Sequence, residues 1–248
     1  MANVVLLLGS TGTGKSHSIK TLDPKETYVI NVCKKPLPFR GSKSIYSAQN
    51  KNFLEAGPHI CQPDEDGNYT LSFATVLQVL DGINANRPDI HTIVIDDAMY
   101  MLKYMYIDLS KQQGYNKYTE FTVHFKRLLL KCQSLRDDLT IYLNVHPVAV
   151  ETEGRIVTYE VAIPGKMINA TINPMENTTI LLYARPRFDI NGKPEYGFYT
   201  NTRMMDGIVI PAKTPEGMFE DDFIPNDLAY VNEKINNYLY TEENETTE

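Results

Sequence analysis

The chain has 248 residues, of which 42% are hydrophobic and 22% are charged, and its formal net charge is −7. This length and composition suit one α/β domain, or one domain with a small appendage. The acidic balance argues against a generally basic surface that coats nucleic acid, although it leaves room for a local basic groove. The three cysteines form no CxxC pair and the N-terminus has no signal-peptide pattern. We therefore expect a reduced, cytoplasmic protein without a disulfide framework, a zinc site or a membrane span.

Strand and helix patterns alternate through the first part of the chain. In order they predict a buried strand at 4–8, a helix at 15–22, a strand at 27–32, a Pro-rich loop at 34–41, a turn at 63–68, a helix at 73–86, a strand at 92–95, helices at 98–112 and 118–137, and a strand at 139–145. Continuous apolar runs of this kind are typical of parallel strands that are buried on both faces.

The last third of the chain is richer in strand patterns. It predicts a hairpin with strands at 148–150 and 156–161, a second hairpin with strands at 179–183 and 196–200 around Asn191-Gly192, and a helix at 226–240. We expect residues 1–240 to form a single α/β domain and residues 241–248 to be an acidic, disordered tail. Its central sheet should be mostly parallel, with helices on both faces and extra C-terminal β-hairpins.

A glycine-rich segment follows the first predicted strand directly. It consists of Gly9, Ser10, Thr11, Gly12, Thr13, Gly14, Lys15 and Ser16. The spacing matches a P-loop, in which backbone N–H groups curl around phosphates and a helix N-terminus adds partial positive charge. Lys15 should reach the β- and γ-phosphates of ATP, and the Ser16 hydroxyl should bind Mg²⁺. The alternative is a turn that merely caps a helix.

Two acids directly follow the strand predicted at 92–95. We expect Asp96 to hold Mg²⁺ through water, and Asp97 either to polarise the attacking water or to be structural. A pair of acids that only caps the following helix is the alternative interpretation. The strand at 139–145 is followed by His146, and this residue or Asn144 should lie near the γ-phosphate and sense it.

These motifs resemble those of RecA-like P-loop ATPases, and in particular the short Sak-type single-strand-annealing ATPases of phages. The Pro-rich loop and the segments at 164–166 and 196–217 support this resemblance. It implies a protein of phage DNA replication or recombination that binds single-stranded DNA, forms a homo-oligomeric ring or filament, and works in the cytoplasm of an infected bacterium. It also implies a basic residue that completes the neighbouring subunit's site, for which Arg203 is our first candidate among Arg185, Arg187, Lys193, Arg203 and Lys213.

One departure from the RecA-like pattern concerns hydrolysis. Those ATPases usually carry a catalytic glutamate just after the second strand, where this chain has Cys33-Lys34-Lys35. Either Asp97 replaces the glutamate, or hydrolysis is slow. A nucleotide-switched loader or assembly factor with little turnover is therefore an alternative function. A small-molecule kinase is a further one, although we find no Arg-rich lid.

Basic and aromatic residues alternate around the Pro-rich loop. The candidates for DNA contact are Lys34, Lys35, Phe39, Arg40 and Lys43, followed by Tyr46. Phosphate neutralisation combined with base stacking holds single strands without sequence preference. A second basic group, Lys126, Arg127 and Lys131, is explained equally well by a solvated helix face.

Overall fold

The computed structural model describes residues 1–57, 72–109, 116–163 and 173–240. The turn predicted at 63–68, the segment at 164–166 and the acidic tail at 241–248 lie outside these residues. In the described part, no helix is both long and apolar enough to cross a lipid bilayer.

The structure has fourteen strands in its described ranges. They are β1 (Asn3–Leu8), β2 (Thr27–Asn31), β3 (Phe53–Glu55), β4 (Thr92–Asp96), β5 (Thr140–Val145), β6 (Pro147–Thr152), β7 (Arg155–Val161), β8 (Ile180–Ala184), β9 (Arg187–Phe188), β10 (Pro194–Glu195), β11 (Gly197–Tyr199), β12 (Arg203–Met205), β13 (Ile208–Ile210) and β14 (Phe223–Pro225). The α-helices are α1 (Lys15–Ser18), α2 (Ser42–Ile45), α3 (Ser72–Asn86), α4 (Tyr100–Leu109), α5 (Asn116–Ser134) and α6 (Leu228–Tyr240). A 3₁₀ turn, Ile19–Thr21, follows α1.

Eight strands form the central sheet, in the order β14-β11-β8-β1-β5-β4-β2-β3. The six from β8 to β3 run parallel, so their carboxyl ends meet at one edge. Strand β11 is antiparallel to β8, and β14 is antiparallel to β11. The amino end of β11 and the carboxyl end of β14 therefore reach that same edge. This sheet confirms the predicted α/β fold.

Alternation along β1 divides the core into two layers. Leu6 and Leu8 belong to a cluster that includes residues of α3, α4 and α5. Val5 and Leu7 belong to a second cluster with Ile19 and residues of α6. Because both faces of the sheet are covered by helices, its strands have nearly continuous apolar sequences.

Both predicted hairpins are confirmed, with additions. Strands β6 and β7 pair around Glu153 and Gly154, whose positive φ values suit a tight turn, and they join β13 and β12 in a smaller sheet. Strands β8 and β11 pair as expected, with the short β9–β10 ladder nearer Asn191-Gly192. The short strands β3, β12, β13 and β14 were not predicted, because three-residue strands have little periodicity.

The helix predicted at 15–22 was wrong in its extent. Regular α-helix ends at Ser18, a 3₁₀ turn follows, and Leu22 is extended. Two hydroxyls bond back to carbonyl oxygens three residues earlier, from Ser18 to Lys15 and from Thr21 to Ser18. Such side-chain bonds compete with regular helical geometry near a terminus.

Candidate active site

The glycine-rich segment leaves the carboxyl end of β1 as an open loop. Gly12 and Gly14 have φ values of 81° and 94°, a conformation that residues with a Cβ rarely adopt. Gly9 has a different constraint, since a Cβ there would lie 2.6 Å from the carbonyl oxygen of Ala184. The loop therefore needs small residues for two reasons, its backbone curvature and its close approach to β8.

Lys15 is buried inside this loop. Its Nζ atom donates hydrogen bonds to the carbonyl oxygens of Gly9 and Ser10, the latter at 3.0 Å. Thr13 Oγ1 donates to the same Ser10 oxygen at 2.8 Å. Burial lowers the pKa of Lys15 to about 8, against the opposing effect of the two nearby carboxylates. The ammonium group is therefore held at the loop, where an incoming phosphate would gain a charge partner.

Asp96 is buried between the P-loop helix and β5. Its Oδ1 atom accepts hydrogen bonds from Ser16 Oγ at 2.9 Å and from Asn144 Nδ2 at 2.8 Å. Burial raises the pKa of Asp96, while the bonds from Asn144 and Ser16 act in the opposite direction. The Oδ1 atom of Asn144 is also buried and has no hydrogen-bond partner among the described residues. Among the described residues, the Asn144 side chain therefore has its hydrogen bond with Asp96.

Asp97 has different partners from Asp96. It adopts a left-handed backbone conformation, with φ 59°, directly after β4. Its Oδ1 atom lies 2.8 Å from His146 Nε2, and its Oδ2 atom lies 3.4 Å from Lys35 Nζ. Burial alone would raise its pKa, but hydrogen bonds from His146 and Cys33, together with the Lys35 charge, hold the pKa of Asp97 well below its ordinary value. This carboxylate is therefore ionised at neutral pH.

Several side chains around Asp97 were not predicted as part of the site. Burial and the neighbouring Asp97 charge raise the pKa of Cys33 to about 12, so its thiol stays protonated and donates. The Tyr100 ring lies edge-on to His146 at 6.2 Å, and Lys35 Nζ lies 5.2 Å from the centre of that ring. Lys35 had been predicted only as a DNA contact. Its place beside Asp97 depends on the β2–β4 pairing, which has no signal in the local sequence.

One cavity of about 700 Å³ joins these groups. Its lining includes the loop from Thr11 to Ser16, together with Lys35, Asp96, Asp97, His146, Tyr196 and Asn226. The volume falls in the range of small-molecule and cofactor pockets. Tyr196 and Asn226 are further residues that no sequence motif had indicated.

The donor set around Ser16 and Asp96 fits Mg²⁺ shared with phosphates. In the described residues, no three or more His, Cys, Asp or Glu side chains converge as a metal site. Mg²⁺ prefers oxygen ligands, and nucleotide enzymes usually bind it through one or two carboxylates, substrate phosphates and water. The Ser16 hydroxyl and the Asp96 carboxylate, 2.9 Å apart, supply the protein's share of such a set.

The other predicted residues lie away from this cavity. Lys34 and Lys43 line a second cavity of about 440 Å³, to which Lys35 also contributes. Phe39 packs edge-on to Tyr46 at 6.3 Å, and Arg40 is exposed. The Arg203 guanidinium lies 5.1 Å from the centre of the Tyr199 ring and does not line the cavity around the glycine-rich loop. In the second basic group, Lys131 forms an ion pair with Asp81 at 2.8 Å.

The fold and this site together define a P-loop nucleotide-binding protein. A family model described as an AAA domain matches residues 1–183, and the chain belongs to this family of P-loop ATPases. The matched span contains the whole glycine-rich loop, both aspartates and His146. A search of curated proteins finds no significant match to the chain. The narrower resemblance to Sak-type phage ATPases stays a prediction.

Proposed function

We propose that this protein binds ATP with Mg²⁺ and hydrolyses it. The observation that carries the proposal is the convergence of Lys15, Asp96, Asp97 and His146 on one cavity around the P-loop. In phosphoryl transfer most of the catalysis comes from positioning and from stabilising charge on the transferred group. The cavity supplies a cation, a metal-binding carboxylate and a second ionised carboxylate for these tasks.

Each group has a distinct role in the proposed reaction. Backbone N–H groups of residues 9–16 hold the phosphates, and the Lys15 ammonium pairs with the β- and γ-phosphates. Ser16 and Asp96 hold Mg²⁺, which when bound neutralises charge on the phosphate oxygens. Asn144 keeps Asp96 oriented, because its Nδ2 donates to the same oxygen that accepts from Ser16.

Asp97 orients the attacking water and takes the place of the glutamate that the second strand lacks. Its pKa is held low, so it is a weak base and acts by positioning rather than by early removal of a proton. His146 shares a hydrogen bond with Asp97 and reports the state of the γ-phosphate through it.

We further propose that ATP turnover is coupled to single-stranded DNA. Lys35 lines both the nucleotide cavity and the second cavity, which we call the basic cavity because Lys34 and Lys43 also line it. Its Nζ atom lies 3.4 Å from the Asp97 carboxylate. Its side chain is 64% exposed, so a surface ion pair of this kind is weak. A DNA phosphate in the basic cavity would compete with Asp97 for Lys35 and free the carboxylate to bind water.

The wider role follows the resemblance described above. We propose a phage replication or recombination ATPase in which residues 1–240 form one ATPase domain, working as a homo-oligomer in the cytoplasm of an infected host. Arg203 is our candidate for a residue that reaches a neighbouring subunit's nucleotide, since it is exposed and lies outside its own subunit's cavity.

One observation favours a second candidate function, a nucleotide-dependent switch with little turnover. Asp97 has hydrogen-bond or ionic partners in His146, Lys35 and Cys33, which leaves it little capacity to hold a water molecule. A protein that binds ATP and changes partners, without rapid hydrolysis, would have no need to free this carboxylate.

ATP turnover measured with and without an oligo-dT strand tests these proposals. We expect stimulation by DNA that weakens steeply with salt. Lys35→Gln should raise basal turnover and abolish most of the stimulation, whereas Lys25→Gln, an exposed lysine just before β2 at the opposite edge of the sheet, should change neither. Turnover unaffected by DNA would refute the coupling alone. ATP binding without measurable turnover in either condition would favour the switch.

A further inference from the structure

The nucleotide cavity has an end that the proposed hydrolysis does not use. In the sheet, β5 and β4 lie on one side of β1 and carry His146, Asp96 and Asp97 at or just beyond their carboxyl ends. Strands β8, β11 and β14 lie on the other side. Tyr196 and Asn226 line the cavity there, opposite the carboxylates and across the P-loop.

Strand pairing brings Tyr196 and Asn226 together. Gly197 of β11 pairs with Pro225 of β14 in antiparallel register, so the next residues outward, Tyr196 and Asn226, both leave the ladder at the P-loop edge. Glycine is required in this ladder, since a Cβ on Gly197 would collide with the Ile224 carbonyl oxygen and the Phe223 ring. The Tyr196 side chain remains 46% exposed, although it lies next to the buried β11.

The Asn226 carboxamide also packs against the P-loop. A Cβ on Gly14 would lie 2.8 Å from Asn226 Nδ2. That nitrogen is buried and has no hydrogen-bond partner within the described ranges, which is costly for an amide donor. Helix α6 does not require it, because Asp227 caps the N–H of Tyr230 and Thr21 Oγ1 accepts from Leu228. Asn226 lines the cavity and therefore has an unpaired amide donor between the cavity and Gly14.

We propose that Tyr196 and Asn226 form the nucleoside subsite of this cavity and select adenine. The inference rests on the proposed nucleotide function, which puts the γ-phosphate beside Asp97 and therefore the base at the other end. An aromatic ring there can stack on a base. A carboxamide offers one donor and one acceptor, which match N7 and the N6 amino group of adenine. Guanine presents acceptors at both of these positions and would leave the carboxamide oxygen unpaired.

Binding measurements by isothermal titration calorimetry in Mg²⁺ can separate the base from the phosphates. The ligands are ATP, GTP and inorganic tripolyphosphate, which has no base. Tyr196→Ala should weaken ATP binding by roughly 5- to 150-fold, the range expected for one stacked base, and Tyr196→Phe should retain it within about threefold. Tyr238→Ala removes a tyrosine of similar exposure, 43%, from α6 and should change nothing.

Asn226→Ala tests the selection of adenine. It should reduce the preference for ATP over GTP by at least about fivefold, the lower limit for a bidentate contact to a base. Tripolyphosphate affinity should be the same in the wild-type protein and in each of these variants, because none of them changes a group that binds phosphate.

Three outcomes would overturn the subsite. The first is an ATP affinity that Tyr196→Ala leaves unchanged. The second is an equal loss of affinity for ATP and for tripolyphosphate in the variants. The third is a wild-type protein that prefers GTP. Equal losses would mean that the two residues only support the P-loop. A wild-type protein that binds none of the three ligands would instead refute the proposed nucleotide function, and the subsite with it.

Discussion

Replacing Asn144 with leucine tests whether the Asn144 amide controls the pKa of Asp96. The change keeps the number and branching of the side-chain heavy atoms but removes the Nδ2 donor that lies 2.8 Å from the carboxylate. A hydrogen bond to a charged group contributes about 1.5–3 kcal/mol, and one pKa unit corresponds to about 1.4 kcal/mol. Asn144→Leu should therefore raise the pKa of Asp96 by about one to two units above a value that burial has already raised.

The sign of the effect on activity follows from which form of Asp96 binds Mg²⁺. The ionised form is the one that holds Mg²⁺, so activity is present above its pKa and is lost as pH falls through it. In Asn144→Leu the acid limb of the pH–rate profile should move to higher pH by about one to two units. At pH values on that limb, half-maximal activity should need about 10- to 100-fold more Mg²⁺.

A matched control separates this effect from general damage to the core. Asn232 is partly buried at the opposite edge of the sheet, where it accepts from Tyr142 at 2.7 Å and donates to Thr92 at 2.9 Å. Asn232→Leu should lower the melting temperature without moving the acid limb. An Asn144→Leu variant that is folded, as judged by thermal melting, and yet keeps both the acid limb and the Mg²⁺ requirement unchanged would show that Asn144 does not control the pKa of Asp96.

Three further outcomes are expected. Asp97→Asn should lower ATP turnover roughly a hundredfold or more while leaving ATP binding in a filter or calorimetric assay intact; unchanged turnover would mean that Asp97 is structural. Lys15→Ala should abolish ATP binding. In the wild-type protein the affinity for ATP should fall as pH rises above the Lys15 pKa of about 8, because the neutral amine cannot pair with phosphate. An ATP affinity that stays constant between pH 7 and 9.5 would contradict this. Gly9→Ala should lower the free energy of unfolding in urea by about 1–3 kcal/mol through contact with Ala184. At Gly12, where an added Cβ has open space, alanine should cost only the backbone strain, about 1–2 kcal/mol. A Gly9→Ala variant that is as stable as the wild-type protein would refute the steric argument at Gly9.

The amino-acid sequence alone determined the phosphate-binding loop and the two acids. Residues 9–16 act through their own backbone and neighbouring side chains. The motif can therefore be recognised in a sequence wherever a predicted strand precedes it and a predicted helix follows. The long strands and helices were predictable for the same reason, because their apolar periodicity is local. Even the loss of the glutamate after β2 could be read directly.

Only the tertiary structure decided how the polar groups divide between the two acids. Asn144 bonds to Asp96 and His146 contacts Asp97, so each of the two candidate γ-phosphate sensors contacts a different acid. The tertiary structure also decided that Lys35 lies beside Asp97, and that Tyr196 and Asn226 line one cavity. These contacts join residues that are far apart in the chain and depend on strand order and register, which a one-residue slip would undo. No single segment carries that information, because it arises when eight strands pack into one sheet.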